Sequence, residues 1–128
     1  MGHPFLYLKL ERRYIMTNLE RLKLELSNKK YYKDSEYSVF LEENNLKATD
    51  NYVKADNEIN LLKTVVSVLE TLANDTDIMR KIDSKDILST DQAYKFLEKR
   101  IYRVNTKIIE LQEIKDGTNL NIRPIFFS

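Results

Sequence analysis

A long apolar seam in the middle of the chain most constrains its fold. Positions 52–73 place apolar side chains at alternating intervals of three and four residues, the repeat of a helix with one buried side. The seam and a second stripe beside it comprise Tyr52, Ala55, Ile59, Leu62, Val66, Leu69 and Ala73, and Leu61, Val65, Val68 and Leu72. Because a helix with two adjacent stripes contacts more than one neighbour, we expect it to be central. It should run from a cap at Thr49 or Asp50 to about Ala73.

A second long helix of matching period is predicted from Thr90 to about Ile114. Ser89 and Gln92 have the spacing of a capping box at its start. Its apolar positions are Tyr94, Leu97, Ile101, Val104, Ile108 and Leu111. Two long helices with matching seams and a connector between them should pack antiparallel.

Two short helices are predicted before the long pair. Thr17 and Glu20 have the spacing of a capping box, so the first helix should begin at Asn18 and end near residues 27–28. Its apolar side comprises Leu19, Leu22 and Leu26. After a loop, Asp34 is predicted to cap a second helix that ends near residues 44–45. The inward side chains of this helix are Tyr37, Phe40 and Leu41.

Composition supports a helical fold. The 128 residues include only two Gly and two Pro, whereas a many-stranded protein needs these residues in its turns. The predicted fold class is all-α, a small bundle of about four helices. Two of the helices are long and antiparallel, and an extended C-terminal arm follows them.

Three segments are expected along the chain: an N-terminal extension (residues 1–15), a helical domain (16–116) and an extended arm (117–128). We hypothesise that Met16 is the natural start, because the capping box follows it directly. In addition, residues 11–13 ("ERR") can be encoded by a purine run that resembles a bacterial ribosome-binding site. The alternative is that residues 1–15 form a true arm with a strand-like "FLYLKL".

Several kinds of chemistry are excluded by residue usage. The chain has no Cys, and its only histidine is His3, so Cys-based zinc sites and Ser-His or Cys-His nucleophiles lack their parts. We therefore predict no catalytic residue, cofactor or metal. The aspartates at positions 75, 77, 83 and 86 match no EF-hand pattern, and turn and capping roles are favoured for them.

The charge and hydropathy of the whole chain point to no membrane or general polyanion. Net charge is +1, so there is no overall attraction to nucleic acid or anionic lipid. No apolar run is long enough to cross a bilayer, and no secretory signal is visible. A cytoplasmic location is the default expectation.

Two basic features have alternative interpretations. The loop "KKYYK" (residues 29–33) interleaves cations and aromatic rings as nucleic-acid binders do, but Asp34 and Glu36 dilute its charge. The favoured interpretation is that its tyrosines cover the edge of the core. Lys95, Lys99 and Arg103 lie four residues apart on the predicted fourth helix and should form its solvated side. In a ring of subunits, such rows would be able to face a DNA channel.

The apolar C-terminus needs a place to be buried. The chain ends "NIRPIFFS", where Pro124 prevents a continuing helix. The arm either folds back on its own bundle or inserts into another protein. Full burial of each large apolar side chain contributes roughly 1.5–3 kcal/mol, so the arm is able to act as an anchor.

These features together resemble one protein family. The chain contains "LERLKLELSNKKYYKDSEYSVFLEENNL", then two predicted long helices with a polar connector, then "IRPIFF". From Met16 to Ser128, this order resembles the head–tail connector (adaptor) proteins of tailed bacteriophages, especially those of Gram-positive hosts.

The resemblance implies a fold and a role. Members are helical, assemble as a ring that is usually dodecameric, dock on the phage portal protein and extend the DNA channel toward the tail. The C-terminal segment of members contacts the portal, which assigns that role here to Ile122, Arg123, Pro124, Ile125, Phe126 and Phe127. A further expected partner is the next neck or tail-completion protein, and the expected location is the virion neck. The alternatives are a small helical regulator or chaperone and a minor nucleic-acid-binding protein.

Overall fold

The computed structural model of the chain describes residues 15–75 and 90–120. These residues form four α-helices and no strand: α1 (Asn18–Glu25), α2 (Asp34–Glu43), α3 (Lys54–Ala73) and α4 (Thr90–Leu120). The predicted class, a small all-α bundle, is confirmed. The chain divides into two compact units, the first up to Thr64 and the second from Val65. The antiparallel packing of the two long helices stays a prediction.

The start of α1 is set by the predicted capping box. The Glu20 N–H donates to Thr17 Oγ1 at 3.2 Å, and the Thr17 N–H donates to Glu20 Oε1 at 2.8 Å. The Thr17 hydroxyl also donates to Glu20 Oε1 at 3.1 Å, and the two bonds that the carboxylate accepts from Thr17 lower the pKa of Glu20. The helix ends at Glu25, slightly before the predicted residues 27–28, because Ser27 and Asn28 both adopt positive φ.

The first unit has a compact apolar core. Helices α1 and α2 pack on each other. The buried apolar residues of this unit are Leu22, Leu26, Tyr37, Leu41, Leu46, Leu61 and Leu62. Tyr37 and Leu41 point inward as predicted, and Phe40 is half-buried. Asp34 is the first residue of α2 and not its cap, because the Glu36 carboxylate already accepts the N–H of Lys33, the residue before the helix.

The predicted start of α3 is wrong by about one turn. The helix begins at Lys54, whereas Thr49 and Asp50 lie in a turn that runs alongside the start of α1. The Asn18 N–H donates to the Asp50 carbonyl at 2.9 Å, and the Tyr52 N–H donates to the Met16 carbonyl at 2.7 Å. Because these long-range bonds hold the backbone extended, Tyr52 lies before the helix and not on its seam.

The two stripes of α3 are confirmed over residues 61–72. Every apolar stripe position in that range is buried, and Thr64 between them is also fully buried. The Thr64 hydroxyl donates to the Asn60 carbonyl one turn earlier, which satisfies the only polar side chain on this part of the buried surface. Ala55, at the first turn of the helix, is exposed. The buried stripe positions therefore begin at Leu61, and the earlier positions of the seam are half-buried or exposed.

Helix α4 is longer than predicted. It continues from Ile114 through Gly117 to Leu120, so residues 117–120 are helical and the predicted extended arm does not begin at 117. Gly117 has no positive φ, so it does not act as the left-handed residue that ends a helix. A glycine inside a helix costs only about 1 kcal/mol of stability relative to alanine, so Gly117 does not by itself end the helix.

The buried side of α4 differs from the predicted seam at its N-terminal end. Leu97 and Ile108 are buried as predicted, but Tyr94 is 42% exposed and its neighbour Ala93 is buried instead. Ile101, like Val104 and Leu111, is half-buried. The predicted capping serine, residue 89, lies outside the described residues.

Candidate functional site

The predicted basic row of α4 is exposed to solvent. Lys95, Lys99 and Arg103 follow one another at one-turn intervals, and all three side chains are exposed. Residues 91–107 carry five basic and two acidic side chains, a local net charge of +3. The row is therefore accessible to a polyanion, and its orientation toward a DNA channel stays a prediction.

The same helix exposes large apolar side chains that the sequence analysis did not single out. They are Phe96 (62% exposed), Tyr102 (73%), Ile109 (54%) and Ile114 (68%), here called the α4 outer apolar residues. Tyr102 and Ile109 are two turns apart on one side of the helix, close enough in direction to meet a single partner surface. None of these four residues belongs to the predicted seam of α4. Their position outside it was the only feature of the sequence that indicated exposure.

The C-terminal contact residues lie outside the described part of the chain. Residues 122–127 were assigned portal contact by family resemblance alone, and that assignment stays a prediction. Helix α4 extends to Leu120, so the predicted arm cannot begin before residue 121. An aspartate-rich connector was also predicted, and its residues 77, 83 and 86 are likewise outside the described ranges.

The "KKYYK" loop is fixed by one buried side chain. The Tyr37 hydroxyl accepts the N–H groups of Tyr31 (3.2 Å) and Tyr32 (3.4 Å) and donates to the Lys29 carbonyl (3.1 Å). The Tyr32 ring packs edge-on against the Tyr37 ring, with 6.1 Å between centroids, and 5.6 Å from the Phe40 ring. Tyr32 therefore covers the edge of the core, which confirms the favoured interpretation for that residue.

The burial of Tyr37 makes a pH effect predictable. Desolvation raises the pKa of Tyr37 above its ordinary value of 10.0, although the donated N–H bonds oppose the shift. The unfolded chain therefore ionises this phenol first, so its contribution to stability is complete below about pH 10 and is lost as pH rises through the higher folded pKa.

Tyr37→Phe should remove this contribution. We expect the variant to lose roughly 1–3 kcal/mol at neutral pH, since two N–H groups and one carbonyl lose their partner. Between pH 9 and about 11 its stability should fall less steeply than that of the wild type. Urea midpoints across that range provide the measurement. Tyr52, whose pKa burial also raises, remains in both proteins. Parallel pH profiles for the two proteins would show that the hydroxyl is not desolvated.

Neither a metal-binding cluster nor a membrane-spanning helix is present in the part of the chain that the structure describes. Residues 15–75 and 90–120 contain no group of three or more His, Asp or Glu side chains placed to hold a metal ion. None of the four described helices combines the length and hydropathy that crossing a bilayer requires.

Comparison with protein-family models, curated proteins and solved structures finds no match for this chain. The family resemblance therefore depends on the quoted residues and the predicted order of elements.

Proposed function

We propose that the chain is a structural head–tail connector of a tailed bacteriophage, without an active site. Copies of it form a ring that docks on the portal and extends the DNA channel toward the tail. The observation that carries the proposal is the pair Tyr102 (73% exposed) and Ile109 (54%), because two large apolar side chains exposed on one side of α4 can be buried together against a single partner surface. Resemblance to the connector family supplies the identity of the assembly.

A ring places two different surfaces of each subunit against its neighbours. Such a head-to-tail interface closes only when every subunit presents both surfaces. Tyr102 and Ile109 are suited to one of them, since burying an exposed large apolar side chain contributes roughly 1.5–3 kcal/mol. The opposite surface comes from the neighbouring copy. In this proposal Tyr102 and Ile109 therefore stabilise the ring and not the isolated subunit.

The basic row gives the ring a second property. The row lies on the same side of α4 as Tyr102, because residues 95 and 102 are two turns apart. Lys95, Lys99 and Arg103 on each copy would therefore face the passage beside the subunit interface, where their positive charge interacts with DNA phosphates irrespective of sequence. DNA then passes through without specific binding. The remaining contacts follow the family pattern: the arm meets the portal, and the opposite end of the ring meets the next neck or tail-completion protein in the virion neck.

The assembly experiment uses a charge-introducing variant and a matched control. Size exclusion with light scattering is run on the full chain, alone and with the portal protein encoded in the same genome. Tyr102→Glu/Ile109→Glu should abolish ring formation. Val39→Glu/Val53→Glu, which changes two exposed apolar residues of the first unit, should leave it intact.

The outcomes separate the alternatives. A ring, or a monomer that forms a ring only on the portal, supports the connector. A stable dimer with no affinity for the portal would favour a helical regulator or chaperone. Salt-sensitive retention of the monomer on DNA, without assembly, would favour a nucleic-acid binder.

A further inference from the structure

A recess in the first unit is lined mainly by lysines and tyrosines. It is open to solvent and has a volume of about 680 Å³ beside the start of α2, and its walls include Lys23 at the end of α1 and the whole "KKYYK" loop. Tyr37 is also part of its lining. Sites for small ligands usually measure about 300–1,000 Å³ and combine aromatic surface with a few charged groups. The recess has the size of a binding site, and it places three tyrosines within a mainly charged lining.

The charge of the lining is positive. Four lysines and two carboxylates contribute, a net charge of +2. Both carboxylates are already engaged: Lys23 Nζ lies 2.8 Å from Asp34 Oδ1, and Glu36 accepts the Lys33 N–H at 2.9 Å. The positive charge of the lysines at 29, 30 and 33 therefore exceeds the negative charge of the nearby carboxylates. All three lysine side chains are exposed. The recess therefore attracts a negatively charged ligand more strongly than a neutral or positive one.

The backbone of the recess is held in place before any ligand binds. The Tyr37 hydroxyl forms hydrogen bonds to three backbone groups of the loop, at residues 29, 31 and 32. Ser27 and Asn28 adopt left-handed backbone conformations that turn the chain into the loop. Because the loop is already ordered, binding a ligand costs less conformational entropy.

We propose that this recess binds a nucleotide unit, an aromatic base that carries a phosphate. The lysines at 29, 30 and 33 would contact the phosphate oxygens, and the half-buried Tyr31 would stack on the base. Lysines alone suit any anion, including an acidic peptide. The aromatic wall favours a ligand that is both flat and anionic. This inference goes beyond the proposed connector function and does not depend on it.

The experiment measures fluorescence anisotropy of the full chain with a labelled oligothymidylate about twelve nucleotides long at about 50 mM salt. Unlabelled thymidine monophosphate and an oligoglutamate of equal length are the competitors. Lys29→Gln/Lys30→Gln/Lys33→Gln is compared with Lys47→Gln/Lys54→Gln/Lys63→Gln, which removes the same charge from exposed lysines outside the recess. Circular dichroism confirms that both variants fold.

We expect the recess variant to bind at least tenfold more weakly and the control variant less than threefold. The slope of log affinity against log salt concentration should become less negative by about 2 in the recess variant. For single strands each lysine–phosphate contact contributes about −0.7 to that slope, and the variant removes three lysines. Tyr31→Leu should also weaken binding about fivefold or more, whereas Tyr94→Leu on α4 should not.

Competition identifies the source of the ligand. Displacement of the labelled strand by thymidine monophosphate supports a free nucleotide as ligand, and failure of thymidine monophosphate to displace it supports single-stranded nucleic acid. Equal losses in the two lysine variants would overturn the proposal, because the effect would then follow overall charge. Absence of binding, or equal competition by oligoglutamate, would overturn it as well.

Discussion

Leu22→Ala is expected to lower the free energy of unfolding by about 2–5 kcal/mol, the range for large-to-small changes in a well-packed core. Leu24→Ala, two residues further along the same helix, should cost less than about 1 kcal/mol. Leu22 is fully buried, whereas Leu24 is 45% exposed. Both substitutions remove the same atoms from a helix of the same propensity, so the difference isolates burial.

Chemical denaturation followed by circular dichroism provides the measurement, with the two variants compared at equal temperature and pH. The slope of free energy against denaturant should stay the same in both, so that a shift of the midpoint reports stability. Similar losses in the two variants would mean that the inward side of α1 is misassigned.

Ending the chain after Leu120 is expected to abolish portal binding and leave the helical content unchanged. Every buried apolar residue in the described ranges lies at or before Ile108, so the truncation removes none of them. The arm carries three large apolar side chains at positions 125–127, which Pro124 keeps out of a continuing helix. Weak binding by each arm suffices, because simultaneous engagement of many copies raises affinity by factors on the order of 10²–10⁴.

The truncation has a full-length control. Ile125→Ser/Phe126→Ser/Phe127→Ser keeps the length of the arm and removes its apolar side chains, so it should fail to bind the portal as the truncated chain does. Retained binding by the truncated chain would remove the arm from the docking mechanism. Loss of helical signal on truncation would instead show that the arm folds back on its own bundle.

Local signals were sufficient to predict the start of α1 but not that of α3. The capping box of Thr17 and Glu20 involves neighbours in sequence, so its residues alone define it. The segment before α3 contains similar capping residues, Thr49 and Asp50. There, backbone bonds to residues 16–19 decide the conformation, and those partners are distant in sequence.

The seam of α4 illustrates the limit of a strict heptad. A straight α-helix drifts by about 20° per heptad relative to a repeat of seven residues. Leu97 and Ile108 stay on the buried side, but Tyr94, at the end of the pattern, has moved off it, and Ala93 is buried instead. The predicted start of the arm at residue 117 was wrong for another reason: Gly117 does not adopt the positive φ that commonly ends a helix, and α4 continues through it.

The candidate surfaces were predictable to different extents. Exposure of Lys95, Lys99 and Arg103 followed from their position outside the seam, and the structure confirms it. The recess was not predictable, because it exists only when the loop folds back onto the Tyr37 hydroxyl. A sequence pattern gives no sign of that closure, since residues 29 and 37 belong to different elements.

The mass of the complex formed with the portal ring tests the connector proposal most directly. Mass photometry of the portal ring, before and after addition of excess full-length chain, counts the copies bound. The account predicts a single larger species whose added mass corresponds to one chain per portal subunit. A portal ring that keeps its original mass, or that gains a small and variable number of chains, would contradict it.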